Sequence, residues 1–160
     1  MAKTFTHDLV YEASLSAVGA MLMDPRFRED VCDAQGAVTK TVDMEESGGG
    51  RKVVIDQVQP AEGIPGFAKK FVGDEIQLVQ TEQWSDLENA EVEVVIPGKP
   101  GQMVGTVHLV EEDGVTTETL EMVIKVNIPL VGGKIEGLIA DLLRTALKAE
   151  NAVGRAYLAG

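Results

Sequence analysis

Four polar side chains of this sequence, His7, Gln57, Gln80 and Glu82, stand where an interior would use them for chemistry. Each occupies an alternate position of a strand-like run whose same-face neighbours are mostly apolar. Ile76, Leu78, Gln80, Glu82 and Trp84 share one face; Val53, Ile55 and Gln57 share a second; Phe5, His7, Leu9 and Tyr11 share a third. A polar group drawn into an apolar interior needs a hydrogen-bonding partner. Either these groups meet the polar end of a bound molecule, or they lie near a strand end or a one-residue bulge and meet water. The first alternative is the usual layout of a small-molecule pocket, apolar walls with a few convergent polar groups. With burial adjusting its pKa, His7 or Glu82 would also serve as a base in an enzyme acting on an apolar substrate.

Familiar catalytic frames are missing. His108 points outward between Val107 and Leu109, so the two histidines make no metal pair, and neither HExxH nor the Gly-x-Ser-x-Gly elbow occurs. Gly132-Gly133-Lys134 runs into Ile135 without the upstream glycine of a phosphate loop. Cys32 is the single cysteine, which excludes an internal disulfide and a cysteine-based metal site. The reading therefore assigns no catalytic residue, no metal and no cofactor. A formal charge of −12 argues against nucleic acid and against electrostatic attachment to anionic lipid. No segment approaches the length of a membrane span and Met1 to Asp8 has no signal-peptide core, so a cytoplasmic location without stable membrane insertion is expected.

The elements that must position these residues follow from periodicity and turn chemistry. With 160 residues the chain reads as one domain, 1–160, able to bury about 70 % of its unfolded surface. Thr4 to Tyr11 is a first strand. Ser14 caps a short helix through Val18, Met21 and Leu22, and Asp24-Pro25 opens a second to about Cys32. Strands follow at Gln35–Glu46 and Lys52–Gln59, joined by Ser47-Gly48-Gly49-Gly50. After a loop over Pro60–Val72 with room for a short helix come strands at Glu75–Trp84, Ala90–Ile96, Val104–Glu112 and Thr116–Ile128. Pro129 should stop the last strand, and Gly132-Gly133 should supply a reversal through positive φ. From Ile135 a helix of roughly 25 residues, about 38 Å long, carries a stripe through Leu138, Ile139, Leu142, Ala146, Ala149, Val153 and Tyr157. Early helices followed by consecutive strands indicate an α+β domain.

This order, together with the run from Lys125-Val126-Asn127-Ile128-Pro129 to Lys134-Ile135-Glu136, resembles an uncharacterised bacterial branch of the START-like, polyketide-cyclase and plant-pollen-allergen superfamily. The resemblance implies the helix-grip fold: a curved antiparallel sheet of six or seven strands around the C-terminal helix, enclosing a hydrophobic cavity. It also implies a lipid, isoprenoid or polyketide-like ligand. The expected seat lies under the helix at Leu138, Leu142 and Ala146, facing Met122 and Ile124, with His7, Gln57, Gln80, Glu82 and Trp84 around the polar end. The leading expectation is binding or transport of a hydrophobic small molecule. The alternatives are a cyclase, aromatase or hydrolase, and a protein-interaction module. Val54, Val58, Val79, Val95, Val110 and Val123 on the sheet's outer face would support the last of these and a weak homo-oligomer.

Overall fold

In β1 (Ala2–Tyr11) alternation turns Phe5, Leu9 and Tyr11 into the core. A computed structural model describes residues 2–160. The Ser14 hydroxyl accepts the Ala17 N–H at 3.1 Å and starts α1 (Leu15–Leu22). Asp24 accepts the Arg26 N–H at 3.0 Å and, with Pro25 first in the helix, starts α2 (Pro25–Ala34). Then come β2 (Thr39–Ser47), β3 (Gly50–Pro60), α3 (Gly66–Val72), β4 (Glu75–Trp84), β5 (Asn89–Val95), β6 (Gln102–Glu112), β7 (Val115–Lys125) and α4 (Gly132–Leu158). The loop over residues 60–72 thus contains a two-turn helix. The second strand starts at Thr39 rather than Gln35, because Gln35 ends α2 as its C-cap.

The seven strands form one antiparallel sheet in the order β1-β7-β6-β5-β4-β3-β2. Register sets the rows of its inner face. His7, Leu120, Val107, Ala90 and Trp84 lie in one row; Phe5, Met122, Gly105, Val92, Glu82 and Val53 lie in the next. Gly105 lets β6 and β7 pair closely, since a Cβ there would run into the Glu121 carbonyl oxygen. The long helix α4 lies against β1, β7 and α2. A main core joins the sheet to α1, α2 and α4, and a second cluster around Ala68, Val126 and Ile135 joins α3 to the start of α4.

Two expectations about α4 need correction. Leu142 is 45 % exposed, and Tyr157 also faces outward. The buried row runs instead through Ile135, Glu136, Ala140, Leu147 and Gly154, with Leu143 half-buried along it, one position round from the expected stripe. The cause is a close approach to β1: a Cβ on Gly154 would lie 2.6 Å from the Tyr11 ring, so helix and strand meet there and fix the rotation. The reversal into α4 also differs. β7 ends at Lys125, before Pro129, because the Glu136 carboxylate takes the Val126 N–H at 2.8 Å. Neither Gly132 nor Gly133 has positive φ; Leu130 does, at 72°. Gly132 is required for a different reason, as its Cβ would stand 2.5 Å from the Val126 carbonyl oxygen.

Candidate functional site

The inner face of β4 grades from closed to open. Trp84 and Glu82 are buried, whereas Gln80, Leu78 and Ile76 are each half-buried toward the end of the sheet where α3 lies. Val94 and Ile96 beside them are half-buried as well, and so are Ile64, Phe67 and Phe71 from the α3 segment. The interior at that end therefore keeps apolar surface accessible. The expected seat against β7 does not, since Met122 and Ile124 are fully packed. Leu138 belongs to the cluster near α3, and the Ala146 carbonyl accepts the Gln35 side-chain N–H at 3.0 Å, which turns that position toward α2. Two surface hollows lie elsewhere. One of about 490 Å³ sits between α1, the β2–β3 turn and Leu87; one of about 600 Å³ borders Gln83, Glu91, Thr106 and His108.

Glu82 is a saturated ion pair rather than an available base. The Arg28 guanidinium, from α2, donates to both its oxygens at 2.8 Å and gives a third N–H to the Leu22 carbonyl. Gln80 and Trp84 donate to the same carboxylate at 2.7 and 2.8 Å. Burial pushes the Glu82 carboxyl up, but the charge and hydrogen bonds of Arg28, with those of Trp84 and Gln80, outweigh it and hold it below the usual range. Gln57 is buried and accepts the Gln59 amide N–H at 2.6 Å. His7 is half-buried, stacked on Phe5 with ring centroids 6.1 Å apart; burial and then Arg144 lower its pKa, which keeps it neutral.

Deeper in the interior the structure assembles a group that the spacing argument passed over. Glu118 on β7 is 6 % exposed, and its Oε1 has no hydrogen-bond partner among the described residues. The Tyr11 hydroxyl is fully buried and has no partner at hydrogen-bonding distance among the described residues, with the Asn151 amide nearby donating to the Val10 carbonyl. Glu150 of α4 belongs to the same group. Burial, and then the charge of Glu150, raise the Glu118 carboxyl well above its usual range, with Arg28 opposing. Burial pushes Glu150 up to about 7. Burial also keeps Tyr11 a neutral phenol. At neutral pH Glu118 and Tyr11 are thus O–H groups with unused hydrogen-bonding capacity. Extending the β7 alternation from Leu120 back by two residues places Glu118 inward. Shifting the α4 stripe by one residue would have reached Glu150. Nothing in the local sequence marks Arg28.

Residues 6–158 match the family described as Protein of unknown function (DUF2505). The chain belongs to the DUF2505 family. No curated protein matches it. Among solved structures, this DUF2505 chain is similar to TTHA0849 from Thermus thermophilus, at 14 % identity and TM-score 0.69, over 98 % of this chain and 97 % of that one. It is similar to the di-domain ARO/CYC BexL from the BE-7585A biosynthetic pathway, at 15 % identity and TM-score 0.66, over 99 % of this chain and 50 % of that one. It is also similar to norcoclaurine synthase from Thalictrum flavum in complex with dopamine and hydroxybenzaldehyde, at 16 % identity and TM-score 0.61, over 99 % and 87 %. At these identities the likeness establishes the fold. The DUF2505 chain has a helix-grip fold, a seven-stranded antiparallel sheet with a long C-terminal helix.

Proposed function

We propose that this DUF2505 protein binds a hydrophobic small molecule on the inner face of β3, β4 and β5, entered from the α3 end. The observation that carries the reading is the burial gradient along β4: Ile76 and Leu78 keep accessible apolar surface that a filled core would close. Glu82 sits at the deep end of that gradient, with Gln80 next along β4 and Gln57 opposite Leu78. Gln80 and Gln57 would meet a ligand's hydrogen-bonding end, while Glu82 and Trp84 hold the wall through Arg28. The fold shared with an aromatase/cyclase and with norcoclaurine synthase is consistent with an interior that accepts organic molecules. In this reading Leu138 lines the entrance, and Leu142 and Ala146 do not touch the ligand.

Native mass spectrometry of gently purified protein, followed by titration of delipidated protein with a fluorescent fatty-acid analogue, tests the proposal. Leu78→Trp and Val94→Trp should each lower uptake several-fold with melting retained, whereas Ala146→Trp should leave uptake intact. Equal uptake by all three variants would remove the site. A second reading, acid–base catalysis on the bound molecule, retains His7 as its base, because the half-buried imidazole is neutral whereas Glu82 is saturated. Turnover of a polyketide-like thioester that disappears in His7→Phe while binding persists would select it.

A further inference from the structure

Three glutamine side chains share the inner face of β3 and β4. Gln57 and Gln59 are alternate residues of β3, opposite Leu78 and Ile76; Gln80 lies on β4, opposite Ile55 and diagonal to Gln57. Their hydrogen bonds to one another and to Glu82 leave a defined remainder. The Gln80 amide donates to Glu82 at 2.7 Å. Glu82, held by Arg28, is ionised and can only accept, so the nitrogen of Gln80 must face it and the carbonyl oxygen must face away. Gln59 donates to Gln57 at 2.6 Å, which leaves N–H on Gln57 and a carbonyl oxygen on Gln59. Exchanging nitrogen and oxygen in that pair only swaps which residue gives and which takes. Among the described residues the polar side-chain atoms sealed without a partner are the Tyr11 hydroxyl and Glu118 Oε1, so these leftover amide atoms stay accessible.

The charges of this wall are already engaged. Arg28 and Glu82 satisfy each other, and Lys40, opposite Gln57 on β2, bonds Asp33 at 2.6 Å. Arg51, at the far end of β3, pairs with Glu46. The buried Glu136 carboxylate takes the Val126 N–H. Among the described residues, no lysine or arginine on the inner face of β3, β4 or β5 lacks a carboxylate partner.

From this remainder, and resting on the ligand reading above, we propose that the molecule in the interior carries an uncharged polar end that both donates and accepts hydrogen bonds, an alcohol, phenol or amide, and that a carboxylate end is selected against. The ligand gives its hydrogen to the Gln80 carbonyl and takes an N–H from Gln57. Diagonal neighbours on adjacent strands lie about 7–8 Å apart, within reach of two glutamine side chains closing on one group. A carboxylate has no hydrogen to give, and there it would face the Gln80 oxygen with the Glu82 anion behind it. Turned round, with its charge near Lys134 at the Phe67 ring, it would cover the glutamines with hydrocarbon and leave their hydrogen bonds unmade. A fatty-acid analogue thus enters by its chain, but more weakly than the alcohol of equal length.

Titration calorimetry of the delipidated full chain at pH 8 with 1-decanol, decanamide and decanoate tests this. The alcohol and the amide should each bind at least about tenfold more tightly than the carboxylate. Gln80→Leu and Gln57→Leu should each weaken 1-decanol about tenfold and leave decanoate nearly unchanged, with melting followed for both. Decanoate binding as tightly as 1-decanol to the parent chain would overturn the inference while leaving the ligand site standing. So would 1-decanol affinity unchanged in either folded variant, since the polar end would then lie elsewhere. Binding of none of the three compounds would remove the site itself, and the ligand class with it.

Discussion

Glu82 and Glu118 are both buried carboxylates, yet their partners give them opposite charge states. Glu82 accepts four hydrogen bonds and is ionised; Glu118 has an oxygen with none and keeps its proton. The pH dependence of stability follows. Glu118 and Glu150 have raised pKa values in the fold, so the folded state keeps protons that the unfolded chain releases above about pH 4.5. Their contribution is complete in acid and is lost as pH rises through about 7 for Glu150 and through the raised pKa of Glu118. Glu82, depressed in the fold, works the other way and withdraws stability as pH falls below its ordinary value of 4.5. Melting temperature should therefore be highest near about pH 4.5 and fall as the pH rises toward neutrality. Glu118→Gln should raise it by a few degrees at pH 8 and leave it unchanged at pH 5, as read by circular dichroism. Arg28→Leu strands the Glu82 charge and should cost about 3–5 kcal/mol in urea unfolding, most of it recovered in Arg28→Leu/Glu82→Leu.

At the level of elements, two adjacent glycines make a clean contrast. Gly132→Ala drives a methyl into the Val126 carbonyl and should destabilise the domain by about 1–3 kcal/mol. Gly133→Ala meets nothing within 4 Å, has helical φ, and should be neutral or stabilising by about 0.5–1 kcal/mol. The glycine pair was visible in the sequence, but the reason for it was not, because a close approach between residues 126 and 132 is a tertiary fact. Strand periodicity and caps were legible: Ser14, Asp24-Pro25 and the alternation of β4 each act locally, and each appears as read. The face of α4 was not. Leu138, Leu142 and Ala146 form one apolar row and Ile139, Leu143 and Leu147 form the next, so hydrophobicity alone leaves the rotation open to about one residue. Contact of Gly154 with Tyr11 decides it, and that contact joins opposite ends of the chain. Glu150 escaped for the same reason, since a charged residue on the deciding row reads as a solvent position.

For the whole molecule, the outer face of the sheet exposes Val104, Val110 and Val123, with Val104 directly opposite Val123. Glu93 and Glu121 lie among them on the same face. We propose that self-association through this face is weak, so light scattering should find a monomer that dimerises only at high concentration. The pairing of the first strand with the last has a consequence of another kind. β1 finds no partner until Val115–Lys125 has been made, and among the described residues its outer edge has no other strand beside it. Closing that pair requires a long loop to be gathered before any ladder bond rewards it, so refolding followed by Trp84 fluorescence should fall in the range of milliseconds to seconds. On the ribosome the order is stricter still: Phe5, Leu9 and Tyr11 emerge first and find their place last, and a chain stalled before residue 115 leaves its opening strand without the neighbour that would shelter it.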